Sequence, residues 1–396
     1  MPSPSRSFTR SRVLSLVTLA VLAAVPARAA DTVTAPAAEP TPAPATTPAP
    51  EATAPPEEKA APKPAPLEVS SFVDTYYSYY FNKPTGNAPL RNFDTKHNTF
   101  SLALVEVAAE QKVTTANRLG FRVDLQAGPT AELVNAFEPG GLEFLKNIEQ
   151  AYGSYLFGSK LQVDVGKFVT PAGAEVIETK DNWNYSRSLL FALAIPYYHA
   201  GLRATVPVND KVTFSGMLVN GWNDVVDNNA GKTWGVGAIL KPSAKVTLAQ
   251  NFIGGPEQKD DTHDKRFLTD TTLTVTPTDK FSLMANYDYG KDKVLGTSVR
   301  WQGIALYARL QATPSWALIP RFEWFDDADG FATGTVQKVK EFTITTEQKL
   351  GGKLLTRIEY RRDFSDQPFF TSKTGSPKKS QDNITIGLIY AFSRVF

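Results

Sequence analysis

The chain has 396 residues, 42 Lys and Arg against 40 Asp and Glu, a formal net charge of +2, 11% aromatic residues and no cysteine. So even a balance excludes a nucleic-acid partner held by bulk charge, and the missing cysteines exclude disulfides and thiolate metal sites. With no uninterrupted apolar run of about 18 residues, helical membrane spans are excluded as well.

Arg6, Arg10 and Arg12 precede an uncharged run from Val13 to Val25, followed by Pro26 and Ala27-Arg28-Ala29. A charged n-region, an apolar h-region and an A-x-A site in that order predict a secretory signal peptide over 1–29. Residues 30–66 are Pro and Ala with Thr and Glu and no aromatic residue. Such a segment buries too little apolar area to offset chain entropy and is expected to be a disordered periplasmic tether. Removing the four signal arginines takes the net charge from +2 to about −2, which leaves the remainder, 67–396, nearly neutral.

From Leu67 onward the chain reads as about sixteen strands with one lipid-compatible and one wet face. Phe121, Val123 and Leu125 alternate with Arg122, Asp124 and Gln126; Phe281, Leu283, Ala285, Tyr287 and Tyr289 with Ser282, Asn286 and Asp288. Trp316, Leu318, Phe322 and Trp324 alternate with Arg321 and Glu323; Phe342, Ile344 and Thr346 with Glu341, Thr343 and Glu347; Ile358 and Tyr360 with Arg357, Glu359, Arg361 and Asp363. Connections alternate too. Short ones rich in turn formers fall near 112–116, 157–159, 207–211, 241–244, 276–280, 313–315 and 350–353, with long polar stretches such as 82–97, 128–147, 168–195, 222–231, 254–264 and 364–380 between them. Short turns on one rim and long loops on the other is the outer-membrane arrangement. Closing the sheet satisfies every backbone group in hydrocarbon, which an open sheet cannot do. The expected fold is an all-β, transmembrane antiparallel β-barrel. The last strand ends the pattern with Ile384, Ile386, Leu388, Tyr390 and Phe392 on one face, Arg394 as the break, and Phe396. A terminal aromatic there is the feature expected to be read by the barrel-assembly machinery.

The stretch Gly166-Lys-Phe-Val-Thr-Pro-Ala-Gly-Ala-Glu175, then Asn184-Tyr-Ser-Arg-Ser-Leu-Leu-Phe191 and Pro196-Tyr-Tyr-His-Ala-Gly201, resembles the OmpL-like β-barrel porins of Gram-negative bacteria. The likeness extends to the Tyr76–Phe81 aromatics and the strand end at Gly216–Asn223, and so spans most of 67–396. It implies an outer-membrane porin, a diffusion channel for small hydrophilic solutes, and nothing narrower.

A porin performs no bond chemistry; its selectivity rests on the narrowest point and the charges lining it. The wet-face residues Arg122, Asp124, Asp164, Arg203, Asp270, Asp288, Arg309, Arg321, Glu323, Arg357, Glu359 and Arg361 are therefore the expected pore lining. Acids and bases opposed across water would set up a transverse field. The competing reading pairs these charges across neighbouring strands, as Arg357, Glu359 and Arg361 on one face suggest. The loop 168–195 is the best candidate for a constriction: it is long, carries the apolar Leu189–Ile195 segment, and holds Glu175, Glu178, Lys180, Asp181 and Arg187. The loop at 128–147, with Leu133, Val134, Phe137, Leu142, Phe144 and Leu145, competes for that job as a short helix.

An enzyme is disfavoured, since only His97, His199 and His263 are available as bases and no Gly-x-Ser-x-Gly or H-E-x-x-H motif occurs. No cofactor or metal is expected. The alternatives left open are a channel selective for sugar, phosphate or organic anion, with Tyr76, Tyr80 and Tyr307 as an aromatic ladder, and a plugged structural or adhesive barrel. Barrel size suggests a homotrimer, although no motif points to one.

Overall fold

The computed structural model describes residues 65–136, 138 and 143–396; the expected signal peptide, and the expected tether as far as residue 64, lie outside them. Sixteen strands form a closed barrel: β1 (Leu67–Tyr80), β2 (Thr99–Gln111), β3 (Leu119–Ala127), β4 (Ile148–Phe157), β5 (Leu161–Val169), β6 (Tyr198–Asn209), β7 (Val212–Val219), β8 (Thr233–Ser243), β9 (Val246–Gly255), β10 (Arg266–Thr278), β11 (Phe281–Val294), β12 (Thr297–Thr313), β13 (Trp316–Asp327), β14 (Gln337–Leu350), β15 (Leu354–Ser365) and β18 (Ser380–Val395). Two short strands, β16 (Phe370–Thr371) and β17 (Pro377–Lys378), make a separate ribbon in the β15–β18 loop. Every barrel strand pairs antiparallel with its chain neighbour, and β1 closes the ring on β18, with Leu67 and Phe396 exchanging backbone hydrogen bonds of 3.3 and 2.9 Å. No sheet edge is left to face lipid, the condition hydrocarbon imposes.

The period of two decides which side chains meet lipid. Ile384, Ile386, Leu388, Tyr390 and Phe392 are all exposed on the outer face, while Thr385 and Ile389 between them are fully buried inside. Phe322 and Phe342 likewise point outward while Arg321, Glu323, Glu341 and Thr343 point in. The short turns all lie on the rim that carries Leu67 and Phe396, and the long loops on the other; in outer-membrane barrels these rims face the periplasm and the cell exterior respectively.

Two of the outer-rim loops enter the barrel. The β3–β4 loop begins with the helix α1 (Pro129–Val134), whose Thr130, Ala131 and Val134 are buried; Phe137 and Leu142 of that loop lie outside the described residues. The β5–β6 loop, Thr170 to Tyr197, contains a 3-10 turn (Thr179–Asp181) and the helix α2 (Leu189–Leu193). Its apolar side chains Ile177, Leu189, Leu190, Phe191 and Ile195 form one buried cluster with Phe72, Ala305, Phe325, Val339 and Ile389 of the wall. Each such Leu or Phe contributes about 1.5–3 kcal/mol by leaving water.

Candidate functional site: the lumen and the loop inside it

The β5–β6 loop is held first by its own residues. Asn182 closes a turn on Val176, accepting from its N–H at 2.9 Å and donating to its carbonyl at 2.7 Å. Arg187 donates to the carbonyls of Val176 (2.9 Å), Tyr185 (2.7 Å) and Ile177 and to Thr179 Oγ1, so a fully buried guanidinium ties both halves of the loop together. Ser188 caps α2, its hydroxyl accepting from Phe191 N at 3.0 Å.

The inner wall of β13–β15 then takes hold of the loop backbone. Arg357 donates to the carbonyls of Thr179 (2.6 Å), Asn184 (3.1 Å) and Asn182, and is held in place by Glu347 at 2.8 Å. Arg361 reaches Arg187 O at 2.6 Å and rests on Asp363 at 2.9 Å. Arg321 donates to Ser186 O at 2.7 Å and pairs with Glu175 of the loop at 2.9 Å and with Glu341 and Glu323 of the wall at 3.0 and 3.2 Å. Acids take the loop's N–H groups in turn: Glu359 accepts from Tyr185 N (2.8 Å) and Ser186 N (3.0 Å), and Glu323 from Leu189 N (2.7 Å). Asn184 donates to Thr345 Oγ1 (2.7 Å) and to Ile319 O (3.2 Å), beside Pro320.

Two glycines make the close approach fit. A Cβ on Gly387 would stand 2.2 Å from the Tyr185 ring, and one on Gly303 would stand 2.5 Å from Leu190 Cδ2. Tyr185 thereby lies flat on β18 with its hydroxyl on Asp74 at 3.0 Å, and Thr179 reaches the same carboxylate at 2.5 Å.

The other wall residues are paired locally. Arg122 bonds Asp124 of its own strand at 2.9 Å; Arg203 bonds Asp164 across β5/β6 at 2.8 Å; Arg309 bonds Glu347 at 2.6 Å. Asp270 accepts from Asn251 and Asn286, both at 2.8 Å, while Asp288 has only Asn286 at 3.3 Å. Lys180 pairs with Asp181 and lies over the Phe72 ring. On β13–β15 the acids and bases are interleaved on one wall, because Arg321, Arg357 and Arg361 each meet both a wall carboxylate and a loop carbonyl. Tyr76, Tyr80 and Tyr307 are buried against loop residues rather than forming an open ladder.

Each of the sixteen barrel strands contributes a buried inward residue, from Asp74 on β1 through Asp124, Asp270 and Glu359 to Thr385 on β18. Water reaches the lumen charges mainly on the half nearer the short turns, where the side chains of Arg122, Arg203, Glu110 and Asp181 are 28%, 21%, 26% and 55% exposed. At the other end, Asp224 and Glu257 sit in loops beside Gly221; burial pushes both carboxyls up to about 7, against the pull of Arg266.

Sequence reasoning did not single out Asp74, which anchors two loop residues, nor Lys167, which pairs with Glu138 at 3.7 Å and lies over the Tyr198 ring. It also passed over Glu106 and Glu149. Strict alternation marked Asp74 and Glu106 as inward charges among apolar neighbours.

A closed sixteen-stranded antiparallel barrel with a loop folded into its lumen defines the porin class of outer-membrane channel. Residues 66–392 match the family described as "Putative beta-barrel porin-2, OmpL-like", and the chain belongs to it. It is an outer-membrane channel of the solute-diffusion type. Solved structures share the fold at low identity. An anion-selective porin from Comamonas acidovorans has TM-score 0.56 and 11% identity over 82% of this chain and 99% of that one. OmpF of Salmonella typhi, solved with daunomycin, has TM-score 0.57 and 11% identity over 82% and 97%. The channel DcaP of Acinetobacter baumannii has TM-score 0.55 and 9% identity over 82% and 97%. Among curated proteins none matches.

Proposed function

We propose that this channel passes small hydrophilic solutes passively and that its β5–β6 loop sets the narrowest section. The observation that carries this reading is the seat of the loop inside the barrel, latched by Arg321, Arg357 and Arg361. Charges at the narrowest section act where water is scarce and so weigh heavily in selectivity. Arg122, Arg203 and Arg309 on the accessible half, interspersed with Glu110 and Asp181, would give a mild preference rather than a dense anion filter.

The burial of inward residues on all sixteen strands favours a second reading, in which the loop closes the lumen and must shift before solute passes. We take the chain to work without bond chemistry: His199 engages Gly221 O and Thr170 Oγ1, and His97 accepts from Tyr80 N. The remaining parts of the proposal are a signal peptide at 1–29, a periplasmic tether at 30–66, assembly through the strand ending at Phe396, and a homotrimer. A trimer form is described for one similar fold, OmpT of Vibrio cholerae, with TM-score 0.55 and 11% identity over 83% of this chain and 100% of that one.

The test is single-channel conductance of the refolded chain in a planar bilayer, with the reversal potential under a salt gradient. Stable open steps with weak ion preference support an open diffusion pore. Steps that appear only after the loop latch is weakened support the closed state. No conductance from a folded, inserted barrel in either case moves the assignment to a plugged structural barrel.

A further inference from the structure

Three carboxylates meet where the loop touches the wall at β2 and β4, one residue before the Thr179 carbonyl that Arg357 holds. Glu106 comes from β2, Glu149 from β4 and Glu178 from the loop, and each supplies an oxygen within 4.8 Å of the others. Glu149 is aimed by a bulge: the β3/β4 ladder pairs Asp124 with Gln150 and then Leu125 with Ile148, passing over it. All three are buried, at 2%, 1% and 8% exposure. Among the described residues no lysine or arginine forms a salt bridge with any of them; Lys180, Arg122 and Lys167, whose charges reach the cluster, are paired with Asp181, with Asp124 and Glu110, and with Glu138.

A second observation is independent of the acids. Gln126 is the cross-strand partner of Glu106 on the same inward face, is 3% exposed, and has no hydrogen-bond partner for either amide atom. No N–H or hydroxyl reaches either carboxylate oxygen of Glu149 or one of Glu106; the two carboxyls have only each other, within reach of a shared proton. Buried polar atoms left bare cost about 1–3 kcal/mol each, and more when charged. A group that brings positive charge and accepts oxygen ligands removes that cost at a stroke.

We propose that Glu106, Glu149 and Glu178 bind one divalent cation, with the Gln126 amide oxygen as a neutral donor. The set is all oxygen, which selects a hard cation over zinc or copper. Calcium is the better fit than magnesium. Oxygens on opposite sides of Ca²⁺ at about 2.3–2.6 Å stand about 5 Å apart, and a protein-supplied cage suits it, whereas Mg²⁺ keeps several waters. The exposed Lys180–Asp181 end of the loop leads from the water-filled half toward Glu178, which gives an entry path. Bound there, the ion fastens the loop to β2 and β4, next to the Arg357 bond at Thr179. The binding is independent of whether the channel conducts.

The experiment uses the full chain refolded in detergent free of lipopolysaccharide, with Ca²⁺ as the probe in calorimetry and equilibrium dialysis. One Ca²⁺ per wild-type chain is expected, weakened about tenfold or more by Glu149→Gln or Glu178→Gln. Wild-type binding equal to that of either variant overturns the site. Thermal unfolding supplies the second readout. In EDTA at neutral pH, Glu149→Gln should melt above wild type because like-charge repulsion is relieved; in Ca²⁺ the order should reverse. An order that does not depend on Ca²⁺ also overturns it.

Discussion

The inner faces of β13–β15 and of β7–β9 are built from different residues, although their outer faces are equally apolar. Arg321, Glu323, Glu341, Glu347, Arg357, Glu359 and Arg361 line the first and are all buried. Thr213, Ser215, Met217, Gly235, Asn251 and Ile253 line the second, without a charge. The charged wall grips the loop mainly through bonds to its backbone, and through the side chains of Glu175, Asn184 and Ser186. From the uncharged wall the contact is slight, chiefly Asn251 donating to Pro171 O at 3.0 Å. Lipid constrains only the outward half of each strand, and the inward half is free to serve as an anchor or as a bearing surface. The loop is thus bonded chiefly to one side of the barrel.

The comparison breaks most directly at Arg357. Arg357→Met removes the guanidinium from the Thr179, Asn182 and Asn184 carbonyls and from one oxygen of Glu347, whose other oxygen keeps Arg309, all in buried surroundings. Breaking such a pair costs about 3–5 kcal/mol. Denaturant unfolding followed by tryptophan fluorescence should show that loss, and bilayer recordings should show larger or more frequent open steps. A variant that unfolds and conducts like wild type would mean that β13–β15 is not the latch.

Gly387→Leu attacks the same grip sterically. The Tyr185 ring has no room to stay beside a side chain on β18, and moving it sacrifices the 3.0 Å bond to Asp74. Overpacking of this kind costs about 1–3 kcal/mol. Protease access to the 170–197 loop is the readout: faster cleavage than in wild type is expected, and unchanged cleavage refutes the fit.

Strand positions and faces were legible because hydrocarbon enforces a period of two; Phe322 beside Arg321 can be arranged in only one way. The loop's destination was half legible, since Leu189–Ile195 is too apolar for bulk water. Its partners were not. Arg357 meets Thr179 only because fifteen strands bring β15 beside the loop, and no local spacing encodes that meeting. For Arg321, Arg357 and Arg361 the partners were hidden for the same reason: the carbonyls they meet belong to a distant segment. Glu149 was hidden by its bulge, which breaks the alternation that marked its neighbours.

The uncharged wall gives the converse test. Thr213→Asp adds a carboxylate to β7 near the short turns, where Thr213 is partly exposed. Stability should stay within about 0.5 kcal/mol, as for most substitutions outside the buried core, while the reversal potential moves toward cation preference. A stability loss like that of Arg357→Met would erase the distinction between the two walls.

The smallest expected effect lies above the uncharged wall, where its loops meet. Asp224 and Glu257 have their carboxyls raised to about 7 by burial, from ordinary values of 3.8 and 4.5. The folded loops therefore hold protons that the unfolded chain has already released between about pH 4 and 7, and stability falls as pH rises through that window. Above about 7 the cost is complete. Arg266 offsets part of it for both groups, while Glu257, Glu138 and Asp227 add to it at Asp224 and Asp292 adds to it at Glu257. Glu257 also accepts from Trp222 N at 2.8 Å, so the loosening should appear at 221–232. Hydrogen exchange there, corrected for intrinsic rate, should be faster at pH 8 than at pH 6, and Glu257→Gln should flatten the dependence. The β13–β15 wall should respond less, since Glu341, Glu347 and Asp363 are paired with arginines at 2.8–3.0 Å. A pH response of equal size on both sides would mean that the charged wall is not held by ion pairs at all.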